Sequence, residues 1–63
     1  MTLREIRDKL GLTQAKMAAA IGCELSTYQH WEIGAAKPRV VAFRARIRAL
    51  ELRAQKGGHN GEV

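Results

Sequence analysis

Residues 13–34 read TQAKMAAAIGCELSTYQHWEIG. Two short helices joined by a tight connection account for the stretch. Thr13 is the N-cap candidate of the first, and Met17, Ala18 and Ile21 form its apolar stripe. The alanines raise helix propensity and let another helix approach closely. Gly22 ends this helix, and Gly22-Cys23-Glu24 makes the turn. The second helix covers 25–32 and ends before Gly34, with Tyr28 and Trp31 facing inward. Its other side chains include Ser26, Thr27, Gln29 and His30, which is an odd set for a core helix. Such a helix anchors through its two aromatics and presents hydrogen-bonding groups to a ligand.

The flanks extend the pattern. Thr2-Leu3-Arg4-Glu5 has the form of a capping box, so a first helix starts at Thr2. Leu3, Ile6 and Leu10 give it one apolar face, and Gly11 is a natural stop. Downstream, Ala35-Ala36-Lys37 forms a short loop to Pro38, a residue suited to the first turn of a new helix. The last helix is long, PRVVAFRARIRALELRAQK, and its Val40, Phe43, Ile47, Leu50 and Ala54 recur with the 3-4 spacing of a coiled-coil seam. The expected fold is all-α: three short helices plus a long C-terminal helix, in one domain over residues 1–56. Residues 57–63, GGHNGEV, read as a disordered tail.

Composition narrows the function classes. A chain of 63 residues makes one small domain, and at about 60 residues only ~60% of the unfolded surface is buried. Cys23 is the single cysteine, so no intrachain disulfide forms. One Cys and the distant His30 and His59 do not make a zinc site, which needs about four clustered ligands. Oligomerisation is the remaining source of added stability. No run reaches the ~20 apolar residues of a membrane span, and the N-terminal sequence lacks a signal-peptide core. A cytoplasmic location follows as the expectation. The net charge is +5. Residues 1–36 carry four basic and four acidic groups, whereas residues 37–63 carry seven and two. The basic excess therefore sits entirely in the second part and suits a polyanionic partner. No catalytic triad, metal cluster or Gly-rich phosphate loop is present in the sequence, so neither enzyme activity nor a cofactor is expected.

Helix, Gly-containing turn, helix is the helix-turn-helix outline. Over residues 3–39 the chain resembles the Cro/repressor (XRE-type) family of phage and bacterial regulators. The resemblance is carried by Arg7, Gly11, Leu12, Thr13, Gln14, Ala18, Gly22, Glu32, Gly34 and Pro38. It implies a lambda-repressor-like bundle that places the 25–32 helix in the major groove of double-stranded DNA. Leu25, Ser26, Thr27, Gln29 and His30 are then the exposed residues of the reading helix. Ser26 and His30 are the expected base readers, Leu25 suits a thymine methyl, and Thr27 suits a phosphate. The resemblance puts Gln14 at the phosphate backbone, where a helix N-terminus offers free N–H groups. It also pairs Arg7 with Glu32. Lys37 and Arg39 reach flanking phosphates, with Lys16 a weaker candidate.

Two positions depart from the family pattern. Glu24 stands where Ser or Thr usually caps the reading helix. Either Glu24 acts on the helix dipole, or the helix starts later with Ser26 as cap in an S-x-x-Q box. Ile33 stands where a phosphate-contacting polar residue is common. Cys23 reads as a buried structural thiol and Trp31 as a core anchor.

The last helix is the element peculiar to this chain. Val40 or Val41 and Ala45 are expected to complete the core, which leaves Phe43, Ile47, Leu50 and Leu52 for a homodimer contact. Arg44 and Arg46 can each match Glu51 of a partner, in antiparallel and parallel pairs respectively, so the charges leave the orientation open. The family resemblance implies a repressor or autoregulator acting on an inverted repeat, in a short phage or mobile-element operon, including antitoxin and anti-CRISPR operons. The alternative is an antitoxin-like subunit whose main partner is another protein.

Overall fold

The computed structural model describes residues 1–57; of the tail expected at 57–63, Gly57 is the last residue of a helix and 58–63 lie outside the described residues. Four helices follow one another: α1 (Leu3–Leu10), α2 (Gln14–Ile21), α3 (Leu25–Glu32) and α4 (Val41–Gly57). There is no strand among the described residues, and no helix is long and apolar enough to cross a membrane.

Local chemistry explains the boundaries of the first three helices. The Thr2 hydroxyl accepts from the Glu5 backbone N–H, and the Glu5 carboxylate accepts from the Thr2 N–H, so the capping box is closed. The Thr13 hydroxyl caps α2 by accepting from the Lys16 N–H. Glu24 occupies the N-cap of α3 in extended backbone but makes no side-chain cap bond. The Tyr28 N–H donates to the Glu24 carbonyl at 3.0 Å, so α3 starts at Leu25 and Ser26 is not its cap. This decides between the two placements that the sequence left open.

The core is built from Ile6, Met17, Ala18, Ile21, Tyr28, Leu50 and Ala54. Around it pack the partly buried Leu3, Leu10, Leu12, Cys23, Trp31, Phe43 and Ile47. α2 rests on α3, and α4 lies across α1 and α2. Trp31 and Phe43 meet with ring centroids 5.8 Å apart and planes tilted by 56°. Tilted aromatic pairs of this kind contribute about 1 kcal/mol beyond their buried area.

Three expectations about the last helix are corrected. α4 begins at Val41 and not at Pro38. Its first hydrogen bond runs from the Arg44 N–H to the Val40 carbonyl, so Pro38 lies in the connection that carries the chain from α3 to the place where Phe43 meets Trp31. The core positions are also different. Val41 is 77% and Val40 52% exposed, and Ala45 is exposed as well. Val40 precedes the helix, while Val41 and Ala45 lie two residues from Phe43, about 200° around the helix on its opposite side. The seam itself is used within the chain. Leu50 is 5% exposed in the core, with Phe43 and Ile47 packed beside it, so these three residues do not form a free dimer face.

Gly22 shows how α4 holds the motif. It takes φ +92° in the turn after α2. A Cβ there would run into the Arg46 guanidinium, which donates to the Ile21 carbonyl at 3.0 Å. The crowding comes from α4. A cation at the last carbonyls of a helix also complements its dipole. Gly11 shares the left-handed backbone, φ +69°, but has open space around it.

Gly11→Ala should therefore cost about 1 kcal/mol from backbone strain alone. Gly22→Ala should cost about 1 kcal/mol more, since it also displaces a charged hydrogen-bond donor. In an Arg46→Ala background the excess should vanish. Urea midpoints of wild type, the three single variants and the Gly22→Ala/Arg46→Ala double variant measure this, and an excess that survives would separate Gly22 from Arg46.

Candidate nucleic-acid interface

The 3.6-residue period divides α3 into two faces. Tyr28 is fully buried, Trp31 is half-buried, and the Glu32 side chain is 8% exposed. Leu25, Ser26, Gln29 and His30 are exposed on the other side, and Thr27 sits half-buried at the edge. The inward face is held by one carboxylate. Arg7 grips Glu32 with a two-pronged contact, Nε to Oε2 at 2.7 Å and Nη2 to Oε1 at 3.4 Å. The Tyr28 hydroxyl donates to Oε2, and Gln14 Nε2 donates to Oε1 at 2.9 Å. Arg7 also donates from Nη1 to the Leu12 carbonyl at 3.3 Å, tying the α1–α2 connection to the same cluster.

Four donors fill the acceptor capacity of a carboxylate. Burial pushes the Glu32 carboxyl up, but the hydrogen bonds from Arg7, Tyr28 and Gln14 outweigh it and bring the pKa down to about 2. Glu32 in turn raises the Arg7 guanidinium. Burial, followed by the hydrogen bond to Glu32, holds the Tyr28 phenol well above its ordinary range. The cluster thus consists of an ionised carboxylate, a guanidinium and a neutral phenol, with no proton available for chemistry. The described residues also hold no group of His, Cys, Asp and Glu placed to share a metal ion, and no pocket. The site is a surface.

The structure gathers the candidate residues unevenly. Gln14 opens α2, but its amide is turned into the cluster: Nε2 faces Glu32 and Oε1 accepts from Gln29 Nε2 at 3.1 Å. The bond between Gln14 and Gln29 links the start of α2 to the outward face of α3. Lys37 and Arg39 lie exposed in the connection before α4, and Lys16 is exposed on α2. Ile33 is 76% exposed at the C-cap of α3. Cys23 is half-buried, and its desolvation raises the thiol pKa. Sequence reasoning missed the bonds from Tyr28 and Gln14 to Glu32 and from Gln29 to Gln14. The i,i+4 spacing of Tyr28 and Glu32 was a usable signal. Nothing local to the sequence marks the two glutamine contacts.

A model of the helix-turn-helix domain matches residues 1–56. The chain belongs to this family of XRE/Cro-like DNA-binding domains. No curated protein and no solved structure matches it. As a helix-turn-helix DNA-binding domain it has α2 and α3 as the two helices of the motif and Gly22-Cys23-Glu24 as the turn. The Arg7–Glu32 pair implied by the resemblance is present, with two further donors around it.

The lowered Glu32 pKa gives the domain a defined acid response. A carboxyl whose folded pKa lies below its unfolded value contributes fully above the unfolded value, and the contribution is lost as pH falls toward the folded one. For Glu32 that window runs from about 4.5 down to about 2. Unfolding free energy should decline by roughly 3 kcal/mol across it. Glu32→Gln should be less stable at neutral pH and flatter in acid. Chemical denaturation at pH 7, 4 and 2.5 tests this. An equally steep decline in the variant would assign the acid response to other carboxylates.

Proposed function

We propose that the chain is a sequence-specific double-stranded DNA-binding transcriptional regulator. It acts as a repressor, and as its own autoregulator, by occupying an inverted-repeat operator as a homodimer. The observation that carries the reading is the division of α3. Its inward face is saturated by internal partners, while Leu25, Ser26, Gln29 and His30 point outward. Inserted into the major groove, Ser26 and His30 meet base edges and Leu25 meets a thymine methyl. Thr27, Gln14, Lys37 and Arg39 serve the sugar-phosphate backbone, which positions the domain and carries the salt dependence.

A single domain this small reads few bases, and two domains set one helical turn apart read a full operator. Since Phe43, Ile47 and Leu50 pack on the chain's own core, the dimer contact uses the outer side of α4. There Val41, Ala45, Ala49 and Leu52 follow one another at helical spacing and are all exposed, Leu52 at 43%. The same outer face, together with exposed Ile33, also fits a second reading, an antitoxin-like subunit that docks on another protein.

Selection of binding sites from random DNA, with affinity measured at two salt concentrations, tests the proposal. The expected result is an enriched inverted repeat. Ser26→Ala or His30→Ala should alter preference at one or two base pairs. Lys37→Ala should weaken all sites alike and reduce the salt slope by about two per dimer. Loss of affinity that is equal on operator and random DNA would remove Ser26 and His30 as readers. No enrichment would favour the protein-docking reading. Leu52→Asp should give a folded monomer by sedimentation, whereas Leu50→Asp should unfold the chain. A wild-type chain that sediments as a monomer at high concentration would defeat the homodimer.

A further inference from the structure

We infer that the outer face of α4 docks an acidic amphipathic helix of another protein, and that this helix and a second copy of the chain exclude each other there. The inference rests on the reading of that face as the surface through which the chain associates. It starts from the helical period. At about 100° per residue, Val41, Ala45, Ala49 and Leu52 fall within about 80° of one another. They form a narrow apolar stripe on the side away from the core, and all four are exposed. Ala45 and Ala49 end in a single methyl group, so another helix can lie close against the stripe.

The edges of the stripe define the chemistry of its partner. Arg44 and Arg48 run along one edge and Arg53 along the other, and Lys56 stands one turn beyond Leu52. All four cations are exposed. Glu51 is the single acid of α4, against five basic residues. It is half-buried and already engaged by Arg48 at 3.0 Å. Arg46 is turned to the Ile21 carbonyl. Among the described residues, Arg44, Arg53 and Lys56 pair with no carboxylate.

A two-fold contact sets a patch against itself. A second copy therefore covers the apolar stripe but brings its own arginines to the arginines already there, and like charges across an interface oppose association. DNA answers the cations but sets phosphates against Val41 and Leu52. A helix with apolar residues on one face and Glu or Asp along both edges answers the stripe and the edges together. It needs the same four apolar residues as the second copy, so only one of the two can be seated. Its arrival leaves the α3 surface untouched and removes the partner domain, which lowers operator affinity.

The test uses the full chain and a fluorescein-labelled helical peptide of about five turns, built from Leu and Ala on one face and Glu along both edges. One control carries Lys in place of Glu; another has the same composition with the apolar stripe scrambled. Anisotropy should show binding of the Glu peptide that weakens about tenfold between low salt and about 0.3 M. The Lys peptide should not bind, and the scrambled one should bind about tenfold more weakly. Arg44→Glu/Arg53→Glu, with its urea midpoint checked, should reverse the preference and take the Lys peptide. Leu52→Asp should weaken the Glu peptide about tenfold or more. In sedimentation the Glu peptide should convert dimer to monomer. Equal binding of the Glu and scrambled peptides would overturn the helix and leave charge alone. A Glu peptide that does not bind, with random duplex DNA weakened by Arg44→Glu/Arg53→Glu, would make the face a nucleic-acid surface and overturn the docking site. A ternary complex of dimer and peptide would overturn the exclusion. A wild type that is monomeric without peptide would overturn the homodimer and the exclusion, while anisotropy would still decide the docking site.

Discussion

The side chain of Glu32 is nearly buried and charged, and that constraint organises the rest of the molecule. A carboxylate taken out of water is costly unless its lone pairs are filled. Here they are filled by groups from three helices: Arg7 from α1, Gln14 from α2 and Tyr28 from α3 itself. Satisfying one charge therefore fixes the relative position of the first three helices. The aromatic ring of Tyr28 is at the same time a large, fully buried member of the core. Apolar packing and polar saturation meet in one residue, so the angle of the reading helix is set by both.

α4 adds the second restraint. It covers α1 and α2 with Phe43, Ile47, Leu50 and Ala54, and its Arg46 reaches the end of α2 at the turn of the motif. In this chain that seam packs on its own core. Small domains bury a limited fraction of their surface, and the core takes precedence. The outer side of α4 stays exposed, apolar at Val41 and Leu52 and bordered by arginines.

The candidate site is an exposed helix face, and no pocket lies among the described residues. Binding on such a surface depends on pre-organised groups, because each loose side chain has to be ordered on contact. The network behind α3 provides that organisation. It holds the helix through Glu32 and reaches the exposed face through Gln14 and Gln29, so the buried ion pair and the outward-facing groups form one connected structure.

Short-range features of the chain were legible directly. The capping box at Thr2–Glu5, the Thr13 cap, the glycine stops at 11 and 22 and the limits of the first two helices follow from local hydrogen bonding and backbone sterics, which neighbouring residues decide. The outward set on α3 followed from helical period, and the Arg7–Glu32 pair from family resemblance. Tertiary structure decided the rest. The 3-4 seam of α4 was readable, but its partner was not, since an apolar stripe has the same period whether it meets its own core or a second copy. The start of α4 at Val41, beyond Pro38, was likewise visible only in the structure. Whether Gln14 faced solvent or Glu32, and whether Gln29 was free or tied, depended on contacts across 18 and 15 residues of sequence. Period and propensity report on a helix one turn at a time; only packing brings α1, α2 and α3 around one carboxylate.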